Sequence, residues 1–122
     1  MPNLKVGFVG LTHLGLNYLA ASAEMGLNVV GLDFDKKKIN KLKDSIVEYK
    51  EPNLEKVISK NQKNIFFTSK LINLKKCNLV FISQDVKTNN IGDSHYYSLK
   101  KLIQKTSKVL NKKVALLILS QV

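Results

Sequence analysis

The sequence is notable first for what it lacks. It has no tryptophan and a single cysteine, Cys77, which cannot form an internal disulfide and is too few for a structural zinc site. Its longest apolar run, residues 114–119, falls far short of the ~20 residues that cross a membrane. The first residues lack the basic-then-apolar order of a signal peptide. These absences argue against disulfide-rich secreted and helical membrane proteins, and we expect a cytoplasmic protein with no membrane partner.

Arginine is also absent, so lysine supplies every strong positive charge. The chain carries 20 lysines against 9 acidic residues, a formal net charge of +11. Proteins that read nucleic acids usually employ arginine for bidentate contacts to phosphate and guanine. Because the lysines are scattered with few aromatic residues between them, we expect a solvated surface that attracts anionic ligands such as nucleotides, and no nucleic-acid partner. Nucleic-acid binding driven by charge is the less favoured alternative.

The 122 residues, 44% of them hydrophobic, suit one compact domain. Short apolar runs that predict buried strands alternate with segments that predict helices. The predicted strands are residues 4–9, 28–33, 65–68, 79–82 and 114–119, and the predicted helices are 14–25, 36–43, 54–59 and 96–110. This order predicts an α/β fold of the Rossmann type, a doubly wound parallel sheet with helices on both faces. Such sheets bind ligands at the carboxyl ends of their strands, where the strand order reverses.

The segment GLTHLG, residues 10–15, lies between the first predicted strand and helix and resembles the dinucleotide fingerprint GxGxxG. Gly10 would permit the tight turn, and Gly15 would let the helix pack close to the strand. Free amides at the helix start would then face a pyrophosphate. Thr12 replaces the middle glycine. Its Cβ restricts the approach of backbone to phosphate, although its hydroxyl could donate to a phosphate oxygen.

An acidic residue stands where the fingerprint needs one. Asp33 follows Gly10 by 33 − 10 = 23 residues, close to the ~20 expected for an acid that binds ribose. Its carboxylate would accept hydrogen bonds from both ribose hydroxyls and repel a 2′-phosphate, which favours NAD over NADP. The ammonium groups of residues 36–38 could accommodate that phosphate, so NADP remains the alternative cofactor.

Several ordered blocks resemble one protein family. The opening KVGFVGLTHLGL, residues 5–16, is similar to the KIGFVGLGYVGL with which UDP-glucose/GDP-mannose dehydrogenases begin. The resemblance continues through VGLDFD at 30–35, EPNL at 51–54 (EPGL in the family), FFT at 66–68 and LVFIS at 79–83. It ends at LSQV, residues 119–122, where the family has a strand ending in STV. The resemblance covers only the family's N-terminal NAD-binding domain and is greatest to the UDP-glucose 6-dehydrogenases.

The resemblance implies a set of NAD-contacting residues. The residues matching the family's pyrophosphate loop are Gly10, Leu11, Thr12, His13, Leu14 and Gly15. Asp33 and Lys38 match the positions that meet the adenosine ribose. The loop after the fourth strand and the residue after the fifth occupy further cofactor positions of the family: Gln84, Asp85, Thr88 and Ser120. Of these, only Thr88 and Ser120 carry the family's usual side chain. Gln121 replaces a threonine that in the family helps to position the catalytic water.

The resemblance also implies a function for a longer protein. The family oxidises the C6 alcohol of a sugar nucleotide to a carboxylate in two NAD-dependent steps, and its members are commonly homodimers. Its catalytic cysteine, lysine and aspartate lie in a C-terminal half with no counterpart in residues 1–122. We therefore expect an NAD-binding fragment with no catalytic residue, whose full-length form acts on a UDP-sugar. A stand-alone nucleotide-binding or regulatory module is the alternative.

Some residues invite a functional interpretation that a structural one outweighs. We expect Cys77 to be a packed, inert thiol rather than a nucleophile, and His95 to lie on the surface at a helix start. His13 could equally bind the cofactor or lie at the loop edge. Phe66 and Phe67 are predicted to belong to the core rather than to a base-stacking platform. No metal site is expected, because neither histidine has a second ligand at suitable spacing, and Asp35 is assigned as a helix cap.

Overall fold

The protein, represented by a computed structural model, is an α/β sandwich built on one parallel sheet. The structure describes residues 4–49, 51–83, 93–110 and 114–119, with backbone alone at 52 and 93–97. The strands are β1 (Lys5–Val9), β2 (Asn28–Leu32), β3 (Ile65–Thr68), β4 (Leu79–Ser83) and β5 (Ala115–Leu119). The helices are α1 (His13–Glu24), α2 (Lys36–Lys43), α3 (Pro52–Lys60) and α4 (Asp93–Val109).

The strands lie in the order β3-β2-β1-β4-β5, and every neighbouring pair is parallel. The chain builds outward from β1 to β3, then returns to the other side of β1 to form β4. The strand order therefore reverses between β1 and β4, and the carboxyl ends of these two strands border the crevice where such sheets bind ligands. The predicted Rossmann-type fold is confirmed.

Two apolar layers cover the sheet because its inner strands are hydrophobic on both faces. One cluster joins Phe8 and Val29 to residues of α1, α2 and α3, such as Leu19 and Ile58. The other joins Val9, Val30 and Ile82 to partly buried residues of α4. Cys77 belongs to this second cluster and is 2% exposed, so its prediction as a packed thiol is confirmed.

The outer strands depart from the predicted burial. Phe67 is buried, but Phe66 is 53% exposed, so the prediction that both rings belong to the core is wrong for Phe66. Neighbouring residues of a strand point to opposite faces, and β3 lies at one edge of the sheet, so one of the two rings lacks a cover. At the opposite edge Leu117 and Ile118 of β5 are half exposed.

Most elements begin or end within a few residues of their predicted bounds. Asp33, predicted as the end of the second strand, lies one residue beyond β2. Two 3₁₀ segments, Gln62–Asn64 and Leu71–Leu74, were not predicted, since single turns have no hydrophobic period to detect. In the described part of the chain no helix combines the length and hydropathy needed to span a membrane.

Candidate functional site

The turn between β1 and α1 requires its two glycines for reasons of space. Gly10 has a φ of +89°, and its amide donates to the Leu32 carbonyl at 2.8 Å. A Cβ on Gly10 would lie 1.8 Å from the backbone oxygen of Ser83, and one on Gly15 would lie 2.5 Å from the Gly10 oxygen. The predicted tight turn and close packing are therefore both present, and together they bring the start of α1 against the carboxyl ends of β1 and β4.

The start of α1 presents amide donors. The Thr12 carbonyl accepts the first helical bond, from the Leu16 amide at 2.8 Å, and the Thr12 hydroxyl oxygen accepts from the Gly15 amide at 3.1 Å. None of the hydrogen bonds among the described residues uses the amides of Thr12, His13 or Leu14. Unpaired amides at a helix N-terminus, together with the helix dipole, favour an anionic ligand.

A pair of buried hydroxyls joins α1 to β4. The side-chain oxygens of Thr12 and Ser83 are 2.6 Å apart, and either hydroxyl can donate. The two residues are only 8% and 4% exposed. Sequence reasoning did not identify Ser83 as a site residue. The available signal was its position as the last residue of a strand that borders the crevice.

The Asp33 carboxylate lies against the glycine turn. One of its oxygens, Oδ2, accepts from the Leu11 amide at 2.9 Å, and Oδ1 accepts from the Asp35 amide at 2.9 Å. The structure thus brings together the acid and the fingerprint loop, 22 residues apart in the chain. Asp35 itself caps α2, accepting from the Lys37 and Lys38 amides at 3.1 and 3.3 Å, which confirms its predicted role.

Lys38 reaches back from α2 to the same place. Its ammonium lies 3.5 Å from Asp33 Oδ2 and donates to the Leu11 carbonyl at 3.3 Å. Burial lowers the pKa of Lys38, but the attraction of Asp33 and the contacts with Tyr49 outweigh burial and raise that pKa overall. Asp33 and Lys38, which the resemblance paired, are therefore in contact.

Residues in the connection between α2 and α3 contact the loop formed by residues 10–15. The Tyr49 hydroxyl donates to the Leu11 carbonyl at 3.4 Å, and its ring centroid lies 5.2 Å from that of His13. His13 Nε2 lies 2.5 Å from Glu51 Oε1. Glu51 and Tyr49 were not predicted as site residues, although Glu51 belongs to a block that carries the family resemblance. His13 is half exposed, so both interpretations offered for it stay open.

Several residues singled out in the sequence lie outside the described residues: Gln84, Asp85, Thr88, Ser120, Gln121 and the side chain of His95. Burial raises the pKa of the Cys77 thiol to about 11, which keeps it protonated and unreactive near neutral pH. Among the described residues no group of three His, Cys, Asp or Glu is placed to hold a metal ion.

Comparison with known proteins identifies the family to which the chain is similar. A sequence model of the UDP-glucose/GDP-mannose dehydrogenase family, NAD binding domain, matches residues 4–122. The chain is 28% identical over 108 residues to the putative UDP-glucose 6-dehydrogenase YtcA of Bacillus subtilis, covering 88% of this chain and 25% of that protein. It is 28% identical over 112 residues to the UDP-N-acetyl-D-glucosamine 6-dehydrogenase of Salmonella typhi, covering 92% and 26%. The chain thus spans about a quarter of these relatives.

Solved structures agree on the fold. The UDP-D-ManNAc dehydrogenase of Pyrococcus horikoshii superposes with a TM-score of 0.83 at 21% identity, covering 96% of this chain and 28% of that one. A GDP-mannose dehydrogenase from Pseudomonas aeruginosa, solved as a ternary complex, has a TM-score of 0.82 at 18% identity, covering 96% and 28%. At these identities the likeness establishes the shared architecture.

Proposed function

Because the chain belongs to the UDP-glucose/GDP-mannose dehydrogenase family as its NAD-binding domain, we propose that it binds NAD across the turn between β1 and α1. The diphosphate would lie on the first turn of α1 and the adenosine ribose at Asp33. One observation carries this proposal. The Asp33 carboxylate is held 2.9 Å from the Leu11 amide, beside the amides at the start of α1 that have no acceptor among the described residues.

The diphosphate fits the donor set at the helix start. The amides of Thr12, His13 and Leu14 would supply hydrogen-bond donors, and the dipole of the 12-residue α1 adds a partial positive charge. The net charge of +11 would draw an anionic ligand toward the protein. These features favour a phosphate-bearing ligand over a neutral one.

The ribose fits the remaining acceptor capacity of Asp33. An ionised carboxylate offers about four lone-pair sites. The amides of Leu11 and Asp35 use one each, and the Lys38 ammonium lies 3.5 Å from Oδ2. About one site, on Oδ1, remains for a ribose hydroxyl. A 2′-phosphate at that place would be repelled by the carboxylate, and the nearest ammonium, that of Lys38, already pairs with it. This arrangement supports NAD over NADP.

For the full-length protein we propose the family reaction. Two NAD molecules, bound in turn, would each accept one hydride as the C6 alcohol of a UDP-sugar is oxidised to a carboxylate, with water as the source of the second oxygen. A C-terminal half would supply the catalytic residues and the sugar site. Residues 1–122 would then contribute the cofactor domain alone, inactive by itself, and the complete enzyme would be a homodimer. The supporting facts are the family match and the share of about a quarter that this chain has of its relatives.

Isothermal titration of the purified protein with NAD and NADP tests the cofactor assignment. We expect heat with NAD and weaker binding of NADP. Asp33→Asn should weaken NAD binding by about tenfold or more, since hydrogen bonds to a charged acceptor are worth roughly 1.5–3 kcal/mol. The same substitution should reduce the difference in affinity between NAD and NADP.

Asp35→Asn is the matched control, because asparagine caps helices as well as aspartate does and should leave NAD affinity nearly unchanged. Absence of heat from both dinucleotides at millimolar concentration would contradict the proposal. Equal NAD affinity in Asp33→Asn and the parent protein would contradict the assignment of Asp33.

A further inference from the structure

One of the amide donors at the start of α1 already has an acceptor within the protein. Of the four amides from residue 12 to residue 15, three have no acceptor among the described residues. The fourth, that of Gly15, donates to the Thr12 hydroxyl oxygen at 3.1 Å. The Thr12 side chain therefore sits on the helix terminus as an internal acceptor, in the role that an oxygen of a bound anion would otherwise take.

Ser83 holds the Thr12 side chain in this position. Its hydroxyl oxygen is 2.6 Å from that of Thr12, and both residues are more than nine-tenths buried. Rotation of Thr12 away from the Gly15 amide would break this bond inside a region closed to water, where a lost hydrogen bond is not replaced. Ser83 cannot withdraw easily, because its backbone oxygen packs against Gly10 at the end of β4.

We propose that Thr12, fixed by Ser83, competes with the diphosphate for the start of α1 and sets a lower dinucleotide affinity than this loop could otherwise reach. The inference rests on the proposed NAD site. Two causes act in the same direction: the Thr12 hydroxyl occupies the Gly15 amide, and the Thr12 Cβ keeps the backbone farther from the phosphates than glycine would. Thr12 and Ser83 thus act as a matched pair that tunes the affinity.

Titration of the purified protein with NAD tests the competition. Thr12→Ala removes the hydroxyl and frees the Gly15 amide, so NAD should bind about threefold to tenfold tighter, the equivalent of one net hydrogen bond. Thr12→Gly also removes the Cβ and should bind at least as tightly as Thr12→Ala. Ser83→Ala leaves Thr12 free to rotate and should give a smaller gain in the same direction.

Ser22→Ala is the matched control. It deletes a hydroxyl that bonds a backbone carbonyl at the far end of the same helix, and it should leave NAD affinity unchanged. Circular dichroism melts establish that each variant is folded. If the loss of the Thr12 cap unfolds α1, Ser83→Ala still tests the competition, because it retains the Thr12 side chain. As a second readout, the Gly15 amide resonance should shift on NAD addition more in Thr12→Ala than in the parent protein.

The outcomes separate this inference from the proposed function. Weaker NAD binding in Thr12→Ala would mean that the hydroxyl donates to a phosphate oxygen, and would overturn the competition. Unchanged affinity in Thr12→Ala and Ser83→Ala would overturn it as well. If the parent protein binds NAD and Asp33→Asn weakens that binding, either result leaves the proposed function intact. If neither the parent protein nor any variant binds NAD, both the competition and the proposed NAD site are contradicted.

Discussion

The two ends of α1 are closed by turns that share a backbone conformation and differ in everything around it. The front turn, residues 10–15, contains Gly10 with a φ of +89°, and the back turn, residues 25–27, contains Gly26 with a φ of +91°. A Cβ on Gly10 would overlap the Ser83 backbone, whereas a Cβ on Gly26 would meet nothing within 4 Å. The same φ thus serves close packing at one end and only a change of direction at the other.

Their hydrogen bonds differ in the same way. At the back turn the chain satisfies its own carbonyls, with the Gly26 amide donating to Ala23 at 2.9 Å and the Leu27 amide to Ser22 at 3.2 Å. At the front turn three amides have no acceptor among the described residues, and distant side chains, Asp33 and Ser83, crowd around the loop. The helix end that is left incomplete by its own backbone is the one suited to a ligand.

Alanine substitutions at the two glycines should give the largest contrast. Gly10→Ala combines left-handed strain of ~1–2 kcal/mol with an overlap between two backbones, and should cost at least about 3 kcal/mol or prevent folding. Gly26→Ala should cost only about 1 kcal/mol, for the strain alone. Urea unfolding measures both, and similar losses at the two positions would show that the packing of Ser83 against Gly10 does not matter.

Gly15→Ala should sharpen the comparison within the helix itself. Alanine normally stabilises a helix by ~1 kcal/mol relative to glycine. Here its Cβ would lie 2.5 Å from the Gly10 oxygen, so we expect a net loss of about 1–2 kcal/mol in urea unfolding. Ser22→Ala, nearer the back turn, should change stability by less than about 0.5 kcal/mol. A stabilising Gly15→Ala would mean that α1 can move away from the turn.

The smallest effects should appear as opposite pH dependences at the two ends. The contacts that raise the pKa of Lys38 stabilise the fold. This stabilisation is fully present below the unfolded-state pKa and is lost as pH rises through the higher folded-state pKa, above about pH 10. Lys38→Met should therefore flatten the alkaline decline in the free energy of unfolding, by up to about 1 kcal/mol. At the back turn a hydrogen bond from Asn61 and the pairing with Lys60 lower the pKa of Glu24.

For Glu24 the sign is reversed. Its stabilisation is present above the unfolded-state pKa and lost as pH falls through the lower folded value, below about pH 4. Glu24→Gln should flatten only the acid side of the profile, and by less than the alkaline effect of Lys38→Met because Glu24 faces solvent. Unfolding by urea at a series of pH values measures both variants. If both variants changed the same side of the pH profile, the assignment of the alkaline effect to Lys38 and the acid effect to Glu24 would be contradicted.

Much of the fold could be predicted because its elements are local patterns. A buried parallel strand is a continuous apolar run, as in residues 6–9 and 79–82, and an amphipathic helix repeats its apolar residues every three or four positions. Phe66 shows where this reasoning fails. Its sequence neighbours mark a strand, but whether a layer covers its face depends on β3 being outermost, which no local pattern states.

The candidate site divides along the same line. The fingerprint glycines and Asp33 were predicted because their spacing follows from one strand–helix–strand unit. Ser83 was missed because it contacts Thr12 across 71 positions of the chain, and Glu51 was missed as a partner of His13 across 38. Those contacts exist only because β4 returns to lie beside β1 and because the segment before α3 folds back onto the loop.

The amino-acid sequence alone determined which segments form strands and helices, where the glycine turn falls and which acid lies in reach of it, since short-range sterics and hydrophobic periodicity control all of these. The tertiary structure decided that a hydroxyl from β4 holds the Thr12 side chain over the Gly15 amide. This contact depends on the parallel pairing of β1 with β4, a long-range pairing whose geometry arises only when the sheet assembles.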